Sequence, residues 1–132
     1  IAGKGTESEA MRNLFAGLDG VTFHGELDKQ GVRELLYQSD ALVLASRSEA
    51  QGLVIMEAIS TGIPVVTTDI IPKNALVKGA CLIAKAGDSS SLHERMQEVV
   101  HVDFDPKWSN ELRVRVAPDV VAQQIMKVFN QD

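Results

Sequence analysis

Short apolar runs alternate with helical patterns along the whole of this chain, and that alternation restricts its fold more than any other feature. The runs fall at residues 21–24, 41–45, 64–68 and 80–84, after an apolar stub at residues 1–2. They are almost continuously apolar, as strands covered on both faces must be. Strands separated by helices form parallel sheets with right-handed crossovers. We therefore predict an α/β fold built on a doubly wound parallel sheet.

Capping residues indicate where the helices between these runs begin and end. A helix that starts near Gly52 should end at Gly62, because glycine favours the left-handed end of a helix and the following Ile63-Pro64 prevents its continuation. The other predicted helix starts carry residue types that are favoured in the cap or first turn of a helix. These starts are Thr6, Asp28, Asp88 and Pro118.

Size and charge restrict the classes of partner. With 132 residues, of which 45% are apolar, the chain can form one domain with a single core, and we predict a single domain over residues 1–132. The formal net charge is −5, and the sequence contains no basic run interleaved with aromatic residues. Both features argue against nucleic acid or an anionic membrane as the main partner.

The single cysteine, Cys81, lies among apolar residues in "GACLIA". It cannot form an internal disulfide, and the sequence places no Cys or His at metal-ligand spacing from it. We therefore predict a buried core residue, no metal site and a cytoplasmic location. No apolar run in the sequence approaches the length needed to span a membrane.

Small and polar residues gather where the predicted strands end. Gly25 and Glu26 follow the run at 21–24, and the segment from Ser46 to Glu49 follows the run at 41–45. Ligands of open parallel sheets bind at the carboxyl ends of the strands. We therefore expect the functional site at this edge of the sheet.

The stretch "SEAQGLVIMEA" combines a helix start with two carboxylates. Gly52 permits a close approach of the backbone, and the N–H groups of Gly52, Leu53 and Val54 have no partner at the start of the helix. Such a turn predicts an anion site suited to a phosphate. Glu49 would repel an anion placed directly beside it. A ligand with a second, neutral and hydroxyl-rich part therefore fits this loop better than a simple anion.

Glu57 stands more than one turn further along the same helix. Its neighbours are apolar on nearly all sides, which predicts burial. A buried carboxylate needs hydrogen-bond donors. Either vicinal hydroxyls of a ligand donate to it, or it caps a neighbouring loop or forms an internal salt bridge. The spacing favours the two interpretations about equally.

This segment resembles the glutamate-pair motif of the retaining glycosyltransferases of family four, which have the two-domain GT-B fold. Glu49 and Glu57 are separated by seven residues and followed by "AISTGIPVV", similar to the family pattern E-x7-E, then A-x-x-x-G-x-P-V-V. The stretches "IAGKG", "VTFHGEL", "ELLYQSDALVLAS" and "CLIAKAGDSSSL" resemble further family segments in the same order. The resemblance covers roughly residues 1–100.

The resemblance implies a Rossmann-like domain, the C-terminal half of a GT-B enzyme, that binds a nucleoside diphosphate sugar. Glu57 would hold the ribose hydroxyls of this donor. Glu49, the candidate catalytic residue, would hydrogen-bond the sugar that is transferred. The N–H groups of Gly52, Leu53 and Val54 would contact the diphosphate and the sugar.

The resemblance has further implications for the ends of the site and for partners. The turn at Gly25-Glu26 would lie against the base, and Ser46 is a further candidate for donor binding. The acceptor would be a glycan or a lipid-linked molecule, and neither a cofactor nor a metal is expected. The N-terminal acceptor domain of the family is missing from this sequence, so we expect a fragment of a larger enzyme that is inactive alone. The parent enzyme would act in the cytoplasm or at the inner face of the membrane.

Two segments depart from the family pattern. Ala50-Gln51 replaces the Gly-Phe that usually follows the first glutamate, and residues 70–74 lack the two glycines and the glutamate usual after "PVVTTD". These departures leave the identity of the sugar open.

Two other classes of function also remain open. One is a GT-B-like module that binds a nucleotide or sugar without catalysis. The other is a regulatory receiver-like α/β domain, which is disfavoured because no acidic cluster follows the first strand. Asp103-Phe104-Asp105 has the spacing of a metal-binding acid pair, but it precedes Pro106 beyond the last predicted strand. That position favours a solvated turn.

Overall fold

The structure is a computed structural model that describes residues 1–4 and 8–120. By its internal packing the chain divides into two compact units, Ile1–Leu35 and Leu36–Asp132, and each is described by itself. The prediction of one domain over residues 1–132 stays a prediction.

The first unit contains α1 (Ser8–Leu14) and most of α2 (Lys29–Tyr37). Asp28 caps α2 as predicted, because its Oδ1 accepts a hydrogen bond of 2.8 Å from the Gly31 N–H. The predicted helix start at Thr6 lies outside the described residues.

The predicted strand over residues 21–24 is wrong in its extent. One parallel bridge, between Ala2 and Gly25, joins the chain start to this segment in the described residues. Hydrogen bonds from His24 N–H to Ile1 O (2.9 Å) and from Gly3 N–H to Gly25 O (2.7 Å) flank it. Residues 21–24 themselves form no strand ladder in the described residues.

The second unit is built on a parallel sheet of three strands in the order β1 (Leu42–Leu44), β2 (Val65–Thr68) and β3 (Cys81–Ala84). The central strand β2 is buried along its whole length, whereas Val43 and Ile83 on the outer strands are exposed. The predicted α/β fold with a parallel sheet is confirmed, and the three later runs form strands that are one or two residues shorter than expected.

Besides the sheet, the described residues of this unit contain further helices and a short 3-10 turn. They are α3 (Leu53–Thr61), a 3-10 turn (Lys73–Ala75), α4 (Ser89–Val99) and α5 (Pro106–Arg115). Asp88 caps α4 through the Ser91 N–H at 3.0 Å, and Gly62 ends α3 with a φ of 92°. Both predicted caps are therefore confirmed. Helices α3 and α4 both pack against the sheet.

Helix α5 was not predicted, and the expectation of a solvated turn at residues 103–105 is wrong for its last residue. Asp105 caps α5, because its Oδ1 accepts from the Lys107 N–H at 2.9 Å. Pro106 then occupies the first turn of the helix. Proline has no backbone N–H, but an N–H in this turn would have no partner within the helix, so no hydrogen bond is lost.

Helix α5 packs against α3. Trp108 and Leu112, one turn apart on the same face of α5, are both buried, and Ser109 Oγ donates to the Ile59 carbonyl of α3 at 3.0 Å. A capping Asp before a proline, with two large apolar residues at i and i+4, is the sequence signal that identifies this helix.

The last predicted helix begins as expected, since residues 118–120 are helical. Its remaining residues lie outside the described part of the chain. Among the helices of the described residues, none has the length and apolarity needed to cross a membrane.

Candidate functional site

The loop of residues 45–52 leaves the carboxyl end of β1 and leads into α3. It therefore lies at the edge of the sheet where the sequence places the site. Glu49 lies in this loop, and Glu57 lies one turn inside α3.

The Glu49 carboxylate folds back onto its own loop. Its Oε1 accepts three backbone hydrogen bonds, from Ala50 at 3.0 Å, Gln51 at 3.2 Å and Gly52 at 3.1 Å. These bonds, that from Gly52 above all, lower the pKa of Glu49. The side chain is thus ionised near neutral pH, and no described residue donates a hydrogen bond to its second oxygen.

Gly52 differs from the expectation in one respect. Its N–H is engaged by Glu49, so in this structure it is not open to a diphosphate. Gly52 adopts the left-handed conformation, with φ at 67°. A Cβ at this position would lie 3.3 Å from Ala75 Cβ and 3.5 Å from Ile71 Cγ2. The loop therefore needs glycine both for its backbone conformation and for its close packing.

The N–H groups that lack an acceptor begin at Leu53, one residue after Gly52. The first hydrogen bond at the start of α3 runs from the Ile55 N–H to the Gly52 carbonyl at 3.0 Å. The Leu53 and Val54 N–H groups receive no acceptor from the described residues, as expected for the first turn of a helix. These two groups can bind an anion.

Glu57 is exposed, so the prediction that it is buried among apolar residues is wrong. Helix α3 has one exposed stripe, formed by Leu53, Glu57 and Ser60, because residues three and four apart share a face. Its opposite face carries the buried residues Ile55, Ala58 and Ile59. Within the described residues no group hydrogen-bonds or ion-pairs with Glu57, and this excludes a cap or an internal salt bridge among them.

Ser46 is held through its backbone. The hydroxyl of Thr68 on β2 donates to the Ser46 carbonyl at 2.8 Å. One residue earlier, the Thr67 hydroxyl donates to the Leu44 carbonyl at 3.1 Å. No local sequence pattern indicates these two side-chain hydrogen bonds.

Gly25 and Glu26 belong to the first unit. Glu26 forms an ion pair of 3.4 Å with Lys4, and both side chains are mostly exposed. The expected contact of this turn with a base stays a prediction.

Arg115, at the end of α5, is a supporting residue that the sequence did not reveal. Its guanidinium donates to the Asn74 carbonyl at 3.0 Å and to the Leu76 carbonyl at 2.8 Å, and it also pairs with Glu111. It thereby holds the 3-10 turn, whose Ala75 packs on Gly52. No local pattern around Arg115 indicates its bonds to the two carbonyls, which are 41 and 39 residues away in sequence.

The described residues contain no group of three His, Cys, Asp or Glu side chains that could hold a metal ion. Cys81 is only partly buried, less than predicted, and this burial raises the pKa of its thiol.

Comparisons with known proteins identify the family. The model of the family "Glycosyl transferases group 1" matches residues 1–101. The chain is 32% identical over 105 residues to a sulfoquinovosyl transferase of Arabidopsis thaliana, covering 75% of this chain and 20% of that protein. It is 28% identical over 138 aligned positions to a phosphatidyl-myo-inositol mannosyltransferase of Mycobacterium leprae, covering 98% of this chain and 36% of the relative.

Solved structures share the fold. A sucrose-phosphate synthase from Thermosynechococcus elongatus superimposes with a TM-score of 0.66 at 24% identity, over 95% of this chain and 33% of that one. TarM superimposes with a TM-score of 0.76 at 18% identity, over 99% of this chain and 28% of that one. The chain thus spans about a third or less of these proteins. The family match over residues 1–101 shows that this chain belongs to the group 1 glycosyl transferases.

Proposed function

We propose that this chain is the donor-binding, C-terminal part of a retaining glycosyltransferase. The enzyme moves a sugar from a nucleoside diphosphate sugar to a glycan or lipid-linked acceptor in the cytoplasm or at the inner face of the membrane. Family membership supports glycosyl transfer. The assignment of the donor to this chain rests on α3 and the loop before it.

The observation that carries the proposal is the exposed Glu57, for which the described residues supply no partner. Leu53 lies four residues earlier on the same stripe of α3. A rise of 1.5 Å per residue separates the two positions by about 6 Å along the helix axis. That separation suits a diphosphate at the helix start and a ribose beside Glu57, whose two oxygens can accept from both ribose hydroxyls.

The diphosphate contacts the Leu53 and Val54 N–H groups in this proposal. Both groups lack an acceptor among the described residues, and the helix dipole favours negative charge at this end. They also stabilise the charge that develops on the leaving diphosphate. Gly52 contributes differently from the expectation, because its N–H holds Glu49 instead of the diphosphate.

Glu49 is the proposed catalytic residue and contacts the sugar that is transferred. One carboxylate oxygen is fixed by three N–H groups, and the other can accept from sugar hydroxyls. The hydrogen bonds that lower its pKa keep the group ionised, so it acts as a hydrogen-bond acceptor and an electrostatic stabiliser of a positively charged transition state. Ser46, at the start of this loop, is a further proposed contact of the donor, and the contact of Gly25-Glu26 with the base stays a proposal from the family resemblance.

This chain alone is expected to turn over little or no substrate. The acceptor must be held in register with the donor, and such positioning accounts for about 7–11 kcal/mol of a reaction barrier. The chain spans 20% of one curated relative and 36% of another, which supports the proposal that further domains supply the acceptor site.

The test compares Glu57→Gln with Glu94→Gln, each titrated with a panel of nucleoside diphosphates by NMR to millimolar concentrations. Glu94 is exposed on α4, so its replacement controls for the lost negative charge. We expect Glu57→Gln to weaken binding about tenfold to a hundredfold, since a charge-assisted hydrogen bond is lost. Glu94→Gln should leave affinity unchanged.

Thermal melts complete this test. Because Glu57 is exposed and has no partner in the described residues, Glu57→Gln should leave the free energy of unfolding within about 0.5 kcal/mol of the wild type. A clear loss of stability with unchanged nucleotide affinity would contradict the ribose assignment. If the full-length Glu49→Gln enzyme retains both wild-type affinity and wild-type turnover, Glu49 is not the catalytic residue. Donor binding by the full-length wild type without any turnover would instead support the alternative of a pure binding module.

A further inference from the structure

Two adjacent threonines of the central strand make equivalent bonds to different targets. Thr67 and Thr68 are 0% and 4% exposed. The Thr67 hydroxyl donates to the Leu44 carbonyl at 3.1 Å, and the Thr68 hydroxyl donates to the Ser46 carbonyl at 2.8 Å. Buried hydroxyls in a strand find such acceptors because an unpaired one is costly.

The two targets differ in how firmly the sheet already holds them. Leu44 belongs to β1 and is the ladder partner of Thr67, so it is held without the side-chain bond. Ser46 lies two residues beyond the last paired residue of β1. In the described residues, the bond from Thr68 is the one hydrogen bond that joins the loop of residues 45–51 to another element.

We propose that Thr68 is a positioning residue for Glu49, because its hydroxyl fixes the entrance of the loop that carries this carboxylate. The loop has two ends. Gly52 at its exit is fixed by close packing on Ala75, and Ser46 at its entrance is fixed by Thr68. With both ends fixed, Glu49 closes onto the N–H groups between them.

The positioning of Glu49 by Thr68 does not depend on the proposed function. Its relevance to sugar transfer does, because it rests on the proposed role of Glu49. Three backbone hydrogen bonds require the residues from Glu49 to Gly52 to keep one conformation. If the entrance is released, the loop samples other conformations and these bonds are made for less of the time. The same bonds lower the pKa of Glu49, so its titration reports how well the loop is closed.

The experiment follows the Glu49 side-chain carboxyl by NMR during an acid titration of the intact chain, with the signal assigned from its absence in Glu49→Gln. Thr68→Val removes the hydroxyl and keeps the shape of the side chain. We expect its Glu49 midpoint to move up towards the ordinary value of a glutamate. Thr67→Val is the matched control, because it removes an equivalent buried bond from the same strand. Its Glu49 midpoint should equal that of the wild type, and so should that of Thr68→Ser, which retains the hydroxyl.

An unchanged midpoint in Thr68→Val would overturn the proposal. Equal shifts in Thr68→Val and Thr67→Val would also overturn it, because they would show a general effect on β2. Should Thr68→Val fail to fold, the rate at which the Thr68 hydroxyl proton of the wild type exchanges with water tests the bond to Ser46 instead. Slow exchange with water is expected of a buried donor, and fast exchange would contradict the bond to Ser46.

Donor binding separates this proposal from the proposed function. The chain is titrated with a nucleoside diphosphate and with the corresponding nucleoside diphosphate sugar. Thr68→Val should reduce the preference for the sugar-bearing ligand by about threefold to tenfold, because Glu49 acts on the sugar and a hydrogen bond of this kind contributes a factor of this size. A shifted Glu49 midpoint without any nucleotide binding by the wild type would sustain the positioning role and refute the donor site.

Discussion

Two loops leave the carboxyl ends of neighbouring strands in the second unit. Each is closed, that is, held in its conformation by hydrogen bonds from one side chain, but that side chain is local in one loop and distant in sequence in the other. The loop after β1 is closed by its own Glu49, which binds N–H groups one to three residues away. The segment after β2 is closed by Arg115, which binds carbonyls 41 and 39 residues away. The two meet where Ala75 packs on Gly52.

This difference suits the two segments to different tasks: the loop that carries Glu49 binds, and the segment after β2 supports it. Closure by a local side chain orders few residues, so it costs little conformational entropy. Closure by a charged group from α5 couples the 3-10 turn to the packing of the helices behind it. The turn can therefore act as a fixed wall, against which the Glu49 loop is positioned through Gly52.

The largest effect is expected from Arg115→Gln, which removes the long-range closure. Two backbone carbonyls and Glu111 lose a charged donor. Hydrogen bonds to charged groups contribute about 1.5–3 kcal/mol, so urea denaturation should show a loss of that order. Arg113→Gln is the control, since Arg113 is exposed in the same turn of α5 and has no partner among the described residues. Equal losses in the two variants would show that Arg115 does not fasten the turn.

A smaller effect is expected from Gly52→Ala, at the contact between the two loops. A non-glycine residue in the left-handed conformation costs about 1–2 kcal/mol, and the new Cβ would also meet Ala75 at 3.3 Å. Gly87→Ala supplies the comparison, because Gly87 has a φ of 78° but no atom within 4 Å of a new Cβ. Chemical denaturation should show the larger loss for Gly52→Ala. A smaller loss than for Gly87→Ala would mean that the loops do not press on each other.

The double variant Arg115→Gln with Gly52→Ala then measures whether the two loops are coupled. If Arg115 holds Ala75 against Gly52, releasing the turn should relieve part of the crowding. The combined loss of stability should therefore be smaller than the sum of the two single losses. Strict additivity would show that the loops are independent.

The smallest effect concerns the acid dependence of the local closure. The folded-state pKa of Glu49 is lowered from an ordinary value of 4.5. Its contribution to stability is therefore fully present above that value and is lost as the pH falls through the lowered folded-state pKa. Urea denaturation from about pH 6 to about pH 3 should show the stability of the wild type approaching that of Glu49→Gln. A difference that stays constant over this range would contradict the closure by an ionised Glu49.

Features fixed by neighbouring residues could be predicted from the sequence. The caps Asp28, Asp88 and Gly62 and the three apolar runs of the sheet depend on local chemistry, and the structure has them as expected. The sequence also indicated that Glu49 lies at the carboxyl edge of the sheet, because the order of strand, loop and helix determines that edge.

Features fixed by distant partners could not be predicted. Glu57 was expected to be buried because its neighbours are apolar, but the exposed stripe of α3 is decided by where the sheet and α5 lie. The occupation of the Gly52 N–H by Glu49 is a local exception, because the spacing of the two residues does not specify whether the side chain turns back onto its own loop. The bonds of Arg115 and Thr68 join positions 22 to 41 residues apart, and no sequence pattern in a single chain records them.

The central claim is that the first turn of α3 and Glu57 hold the donor, and amide NMR of the intact chain tests it most directly. A nucleoside diphosphate sugar is added to millimolar concentration, and the backbone N–H signals are followed residue by residue. We predict saturable shifts at Leu53, Val54 and Glu57, with little change in α4 between Ser89 and Val99. The Glu57→Gln variant should need about tenfold to a hundredfold more ligand for the same shifts. Shifts confined to other parts of the chain, with the first turn of α3 unmoved at saturation, would contradict the claim.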